Sequence, residues 1–320
     1  METETLLVDS ETVRRNVEKS ELVEMIEEAY VNEYRGDSHM PAREQIPTGD
    51  RSEILSMPAR LSDGSVGMKW VSDFLDNETL PPVMGTVIYN DKETGKPIAI
   101  IDGTELTSIR TGCAATVGTK HLLDREPNSV GIIGLGSQSK EVLRFHGEMF
   151  DFDTVYASDI DDEVYREFRD LFEDEYDILR CDGVDCIENS DTVTTATPVT
   201  SPVLSSVDTD VHINALGADM PQKQEISTDV LTDSDVSLVT DNIKQSMAGG
   251  EFSQLMSEGV VDSSDVMELG HLLDNDGLME RIRSNMTVFD STGVAVQDIV
   301  TARMVYKNLD ENECDTFSFF

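Results

Sequence analysis

The chain has 320 residues, enough for two domains of ordinary size that each bury a core, and no run approaches the roughly 18 apolar residues of a membrane span. Its 64 acidic residues against 24 basic ones give a formal net charge of −40, a field that repels nucleic acid and anionic membrane. The acids are scattered through every expected helix and loop, so the sequence reads as a soluble, unexported chain of a halophilic cytoplasm, where concentrated salt shrinks the Debye length to a few ångströms.

Ser20 can cap a helix running to Arg35, with Leu22, Met25, Ile26, Ala29 and Tyr30 on one stripe. Met40-Pro41-Ala42-Arg43 reads as a loop entering Glu53–Ala59, followed after the Asp63-Gly64 turn by a strand, Val66–Val71. That strand is apolar except for Lys69, which is either a snorkelling edge residue or an amine buried for chemistry. Val83–Tyr89 and Pro97–Ile101 read as two more strands, so the first hundred residues form an α+β unit. Glu105–Leu123 is expected to be helical, with Arg110 and Thr111 in its first half. Cys113, Cys181, Cys186 and Cys314 show no CxxC spacing and the five histidines are scattered singly, so neither a disulfide nor a metal site is expected.

The stretch Val130–Ser139 is the centre of the pattern. Four apolar strand positions run into Gly134-Leu135-Gly136, and a helix, Ser137–Phe150, follows at once. In a dinucleotide fold Gly134 makes the tight turn, Gly136 admits backbone close to a pyrophosphate, and the helix N-terminus binds the anion. Ser139 stands at the usual third glycine, and an ordinary strand-turn-helix is the alternative. A second strand, Thr154–Ser158, ends at Asp159, about 20 residues past the glycines, where a carboxylate accepts from an adenosine ribose. No basic residue follows as far as Glu163, which favours NAD over NADP; a solvated loop acid is the alternative, with Asp161 in reserve.

Strands at Asp177–Cys181, Thr192–Ala196, Val211–Ala215, Val236–Thr240 and Thr287–Asp290 then alternate with helices, which predicts a doubly wound parallel sheet binding ligands at its carboxyl edge. Thr197, Gly217-Ala218-Asp219 and Ser291-Thr292-Gly293 fall at that edge. A helix from Ala295 to Leu309 can cross back to the first domain.

Met40–Arg43, Met57-Pro58-Ala59, Gly67-Met68-Lys69, Thr94–Pro97, Thr107–Gly112, Gly134–Gln138, Gly217–Asp219 and Ser291–Asp298 together resemble the ornithine cyclodeaminase and mu-crystallin family, which includes archaeal alanine dehydrogenases. The resemblance spans nearly the whole chain and implies a Rossmann domain binding NAD over 113–295. It also implies an α+β substrate-binding and dimerisation domain over 1–112, completed by 296–320, a homodimer, and an amino-acid pocket between the domains. Carried over by position, Lys69 and Asp219 look like the catalytic pair, and Arg43 and Arg110 like a clamp on the substrate carboxylate, which planar guanidinium groups grip bidentately. Met57, Gly293 and Val294 would also touch the substrate. Arg110, Thr111, Gly134, Gly136, Ser137, Gln138, Asp159, Thr197, Gly217, Lys223 and Ser291 would touch the cofactor. Gln222 departs from the family pattern, where a glycine is expected beside Lys223.

Three functions remain open at this level. One is an NAD-dependent dehydrogenase of a small amino acid, alanine first; another is ornithine cyclodeaminase, with NAD recycled; the third is a cyclic-ketimine reductase or a non-catalytic NAD(P)H binder. Leu55 and Met57 on one strand face offer an apolar lining where an ornithine pocket wants an acid, which favours a short apolar side chain.

Overall fold

The computed structural model describes residues 4–49, 52–74, 76–77, 79–207, 210–282 and 286–319. The chain forms two compact units, one of the residues up to Arg110 plus those from Val294 onward, the other Thr111–Gly293. The first passage between them falls inside a helix, and the second directly precedes another.

The first unit contains β1 (Glu4–Val8), α1 (Ser10–Arg15), α2 (Lys19–Tyr34), β2 (Glu44–Gly49), β3 (Ser52–Arg60), β4 (Val66–Phe74), β5 (Val83–Asn90), β6 (Pro97–Asp102) and the start of α3 (Gly103–Leu122). Its seven strands run in the order β15-β1-β6-β5-β4-β3-β2, where β15 is Asp315–Ser318. β2 to β6 form an antiparallel meander, and β1 adds to it in parallel beside β6. Two expectations change here. Ser20 does not cap the first long helix, which begins at Lys19 behind Glu18 with no side-chain cap, because Leu22, Val23, Ile26, Ala29 and Tyr30 bury a stripe that sets its extent. The segment after Arg43 is also not all loop, since Glu44–Gly49 pairs with β3 as an exposed edge strand.

The second unit continues with β7 (Ser129–Ile133), α4 (Ser137–Met149), β8 (Thr154–Ser158), α5 (Asp162–Phe172), β9 (Asp177–Arg180), α6 (Gly183–Glu188), β10 (Thr192–Thr195), β11 (His212–Ala215), α7 (Thr228–Leu231), β12 (Val236–Thr240), α8 (Ile243–Gly249), α9 (Ser253–Glu258), β13 (Val266–Glu268), α10 (Leu269–Leu273), α11 (Asp276–Ile282) and β14 (Met286–Asp290). Its eight strands, in the order β13-β12-β14-β11-β10-β7-β8-β9, are parallel throughout. The order reverses between β7 and β10, so the crevice for a ligand lies at their carboxyl ends. On one face of the sheet Val130 and Ile132 of β7 share a buried cluster with Leu143 of α4 and with Phe168 and Phe172 of α5. Each large one contributes about 1.5–3 kcal/mol by leaving water. α5 is set by Asp161, whose carboxylate caps Glu163 N–H, and by Tyr165, Phe168 and Phe172 at helical spacing.

The expectation of no disulfide is corrected. Cys181 and Cys186 are bonded, with Cα atoms 5.7 Å apart. Asp182 caps α6 through Val184 N–H and Asp185 N–H, and this turns the chain back so that the residue leaving β9 meets one on α6, at a spacing no CxxC pattern covers. After Gly293 the chain enters α12 (Ala295–Asn308), which is buried over nearly its whole length in the first unit. Among the described residues no helix is long and apolar enough to cross a membrane.

Candidate active site

In the first unit the alternation of β4 turns Gly67, Lys69, Val71 and Asp73 inward and leaves Trp70 outside. Lys69 is 1% exposed, so it is a buried amine and no snorkelling residue. Its Nζ donates to Asp298 Oδ1 at 2.9 Å and to Thr107 Oγ1 at 3.3 Å. Arg110 Nε donates to the same Asp298 oxygen at 3.1 Å, and its NH1 donates to Gln297 Oε1 at 3.2 Å. Its NH2 group finds no acceptor among the described residues, and Asp298 Oδ2, buried, finds no donor. Spare guanidinium donors beside an amine are what a carboxylate ligand requires.

Burial pushes the Lys69 amine down to about 8, helped by the Arg110 charge and, less, by that of Arg43; Asp298 opposes them. Arg43 itself is half-buried just before β2. Across the β3–β4 ladder Met57, 4% exposed, lies opposite Lys69, and Leu55 is half-buried on the same face of β3. Asp298 was given no role by sequence reasoning. Its signal was a pair of polar residues, Gln297-Asp298, inside the apolar start of α12.

In the second unit Gly134 sits at φ 84°, a left-handed turn that a side chain would strain, and Ser139 Oγ donates back to Gly134 O, which shows how a serine fits the third glycine position. Gly136 is the N-cap of α4 and supplies no side-chain cap, and a Cβ built on it would meet nothing within 4 Å. Ser137 is exposed and Gln138 half-buried beside it. An uncapped helix N-terminus with open space before it fits a pyrophosphate. Asp159 accepts from Leu135 N–H and Asp161 N–H, both at 2.9 Å, which fixes its carboxylate beside the turn with lone pairs to spare for a ribose. Asp161, the reserve candidate, is engaged as the cap of α5.

Thr197 and Gly217 follow β10 and β11, and both donate to the buried Glu225, a residue sequence reasoning passed over. Burial raises the Glu225 carboxyl above its usual range against these hydrogen bonds. Among the described residues, Thr111 Oγ1 and Ser291 Oγ are buried and find no hydrogen-bond partner, so both hydroxyls have bonding capacity to spare. Gly293 is held at φ 76° by Asp241, which accepts its N–H at 2.9 Å and the Thr292 hydroxyl at 2.6 Å, and Val294 next to it is buried. Asp219 pairs with Lys223 at 2.6 Å, half-exposed, across the turn that contains Gln222. Lys69 and Asp219 therefore each have an ionic partner within their own unit.

Dinucleotide-dependent enzymes that dehydrogenate or deaminate amino acids are the class to which this fold and these two clusters point. The chain belongs to the ornithine cyclodeaminase/mu-crystallin family, whose sequence model matches residues 3–313. It is 33% identical to an alanine dehydrogenase of Archaeoglobus fulgidus over 99% of both chains. A solved archaeal alanine dehydrogenase dimer with bound NAD superposes with a TM-score of 0.90 at 32% identity, covering 99% of this chain and 100% of that one. The Thermococcus litoralis Δ1-pyrroline-2-carboxylate reductase, solved with NADH and L-proline, gives 0.87 at 26% identity over 95% of this chain and 97% of its own.

Proposed function

We propose that the protein is an NAD-dependent dehydrogenase of a small amino acid, converting alanine, NAD and water to pyruvate, ammonia and NADH. The observation that carries this is the buried Lys69–Asp298–Arg110 cluster with its unused guanidinium donors next to an apolar Met57 face. The likeness to alanine dehydrogenase over 99% of the chain supports the choice of substrate.

Gly134–Gln138, Asp159, Thr197, Gly217, Lys223 and Ser291 would hold NAD, which would supply a hydride acceptor when bound. Arg110 and Arg43 grip the substrate carboxylate, which fixes the direction of the Cα–H bond. Lys69, already near neutrality, takes or returns a proton at the oxygen that becomes the keto group. Asp219 carries negative charge to the substrate nitrogen, steadying the positive iminium and accepting a proton from the attacking water. Met57, Gly293 and Val294 limit the side chain to one of alanine size. The likeness to a reductase solved with L-proline favours reduction of a cyclic imine as the second reading.

The protein is proposed to work as a homodimer in the cytoplasm of a salt-loving cell. Activity and melting temperature then rise together from dilute buffer to molar KCl, because screening relieves the −40 charge. Equal stability in dilute buffer refutes the halophilic reading. In molar KCl, net NADH from NAD and alanine supports the dehydrogenase. Ammonia and proline from ornithine without net NADH point to cyclodeamination, and NADH consumed on a cyclic imine points to the reductase.

A further inference from the structure

We propose that Glu225 is the positioning residue of the dinucleotide site: its carboxylate ties the carboxyl end of β10 to that of β11 and fixes the direction of hydrogen bonding at Thr197. This rests on the reading that Thr197 and Gly217 touch NAD. Glu225 is 0% exposed. Its Oε1 accepts from Thr197 N–H and from Thr197 Oγ1, both at 2.7 Å, and its Oε2 accepts from Thr195 Oγ1 at 2.7 Å and from Gly217 N–H at 2.8 Å. Four donors thus fill the four lone-pair directions of one carboxylate, and only such saturation makes its burial tolerable.

A second buried acid holds the first in place. Glu251, 1% exposed, accepts Glu225 N–H at 3.0 Å on each oxygen and Ile226 N–H at 2.7 Å. The strand ends close tightly around the carboxylate. A Cβ on Gly217 would lie 2.3 Å from Thr197 O and 2.6 Å from Glu225 Cδ, so no side chain fits there.

The consequence is chemical. Thr197 spends its one hydroxyl proton on Glu225, so its half-buried oxygen offers a ligand only lone pairs. Its ligand partner must be a donor, and a nicotinamide dinucleotide has three kinds, ribose hydroxyls, the carboxamide NH2 and the adenine amino group. The N–H groups of Thr197 and Gly217 are likewise spent, which leaves phosphate binding to the N-terminus of α4.

Hydrogen exchange of the full-length protein without nucleotide, with NADH affinity read by nucleotide fluorescence, tests this in the parent, Glu225→Gln and Thr195→Val. The parent should protect the Thr197 and Gly217 amides before any nucleotide is added. Glu225→Gln turns an NH2 toward N–H donors, and should speed exchange at both amides and weaken NADH by about tenfold or more, the scale of a lost hydrogen bond to a charged group. Thr195→Val removes one donor and should act in the same direction, more weakly. Should Glu225→Gln fail to fold, the parent's exchange and Thr195→Val decide. Open-loop exchange at Thr197 and Gly217 in the parent overturns the proposal, as does parental NADH affinity in either folded variant. A parent that protects both amides yet does not bind NADH contradicts the dinucleotide reading alone, and the tie made by Glu225 stands.

Discussion

Lys69 and Asp298, 229 positions apart in the chain, meet at 2.9 Å with 2% and 0% of their side chains exposed. Removing one partner of such a pair costs about 3–5 kcal/mol, because the other is left charged and dry. Asp298→Asn keeps a hydrogen-bond acceptor but removes the charge that raises the Lys69 pKa. If neutral Lys69 is the active form in deamination, parental kcat/KM rises with pH through about 8, and in Asp298→Asn that limb moves to lower pH. A pH profile with an unmoved limb excludes Lys69 as the titrating group.

Lys69 and Asp219 are expected to serve one transition state. Lys69→Ala and Asp219→Asn should each lower turnover by at least about 10²-fold, and the double variant should cost little more than either alone. NADH affinity should survive the lysine change. Near-parental turnover in either variant, on every accepted substrate, would return Asp219 to the role it visibly has, a turn acid paired with Lys223.

We propose that cofactor choice rests on Asp159, whose charge would oppose a 2′-phosphate. Ile160 beside it is fully exposed, at 104%, so an arginine can be placed there without disturbing the core. Asp159→Ser with Ile160→Arg should shift preference toward NADP, at a cost of about 1 kcal/mol for the lost bond to Leu135 N–H. Titrations showing equal parental affinity for NAD and NADP refute the assignment.

Stability should respond to pH with opposite signs at two buried groups. Burial holds His212 down to about 4, so between that value and 6.5 the unfolded chain binds a proton the folded one refuses. Its contribution is whole above 6.5 and fades as pH falls, by about 1.4 kcal/mol per pH unit. Asp290 is pushed up to about 7, so from 3.8 to 7 the folded chain keeps a proton the unfolded one releases, and stability fades as pH rises. Denaturant unfolding in fixed KCl should therefore show the deficit of His212→Gln shrinking toward pH 4 and that of Asp290→Asn shrinking toward pH 7. Deficits independent of pH would contradict both.

Local pattern carried much of this into the sequence. The ends of Thr154–Ser158 and Val236–Thr240 are readable as they stand, because buried parallel strands are short apolar runs bounded by turn residues. The glycine turn is likewise legible, and the left-handed Gly134 is its physical counterpart. What escaped depends on distant meetings. β1 is too short and mixed to declare itself before β6 and β15 flank it. Glu225, Asp241 and Asp298 are single acids among 64, and only burial sets them apart. The Cys181–Cys186 bond depends on a capped turn, not on a spacing rule.

The descent of α12 into the first unit governs the order of assembly during synthesis. Thr111–Gly293 is one uninterrupted length of chain and can close as soon as it has emerged from the ribosome. The first unit cannot, since β15 pairs with β1 and α12 brings the counter-charge for Lys69. An amine translated early must wait, hydrated and exposed, until nearly the whole chain has followed. Burial of Lys69 against Asp298 is therefore among the last contacts that the growing chain can make.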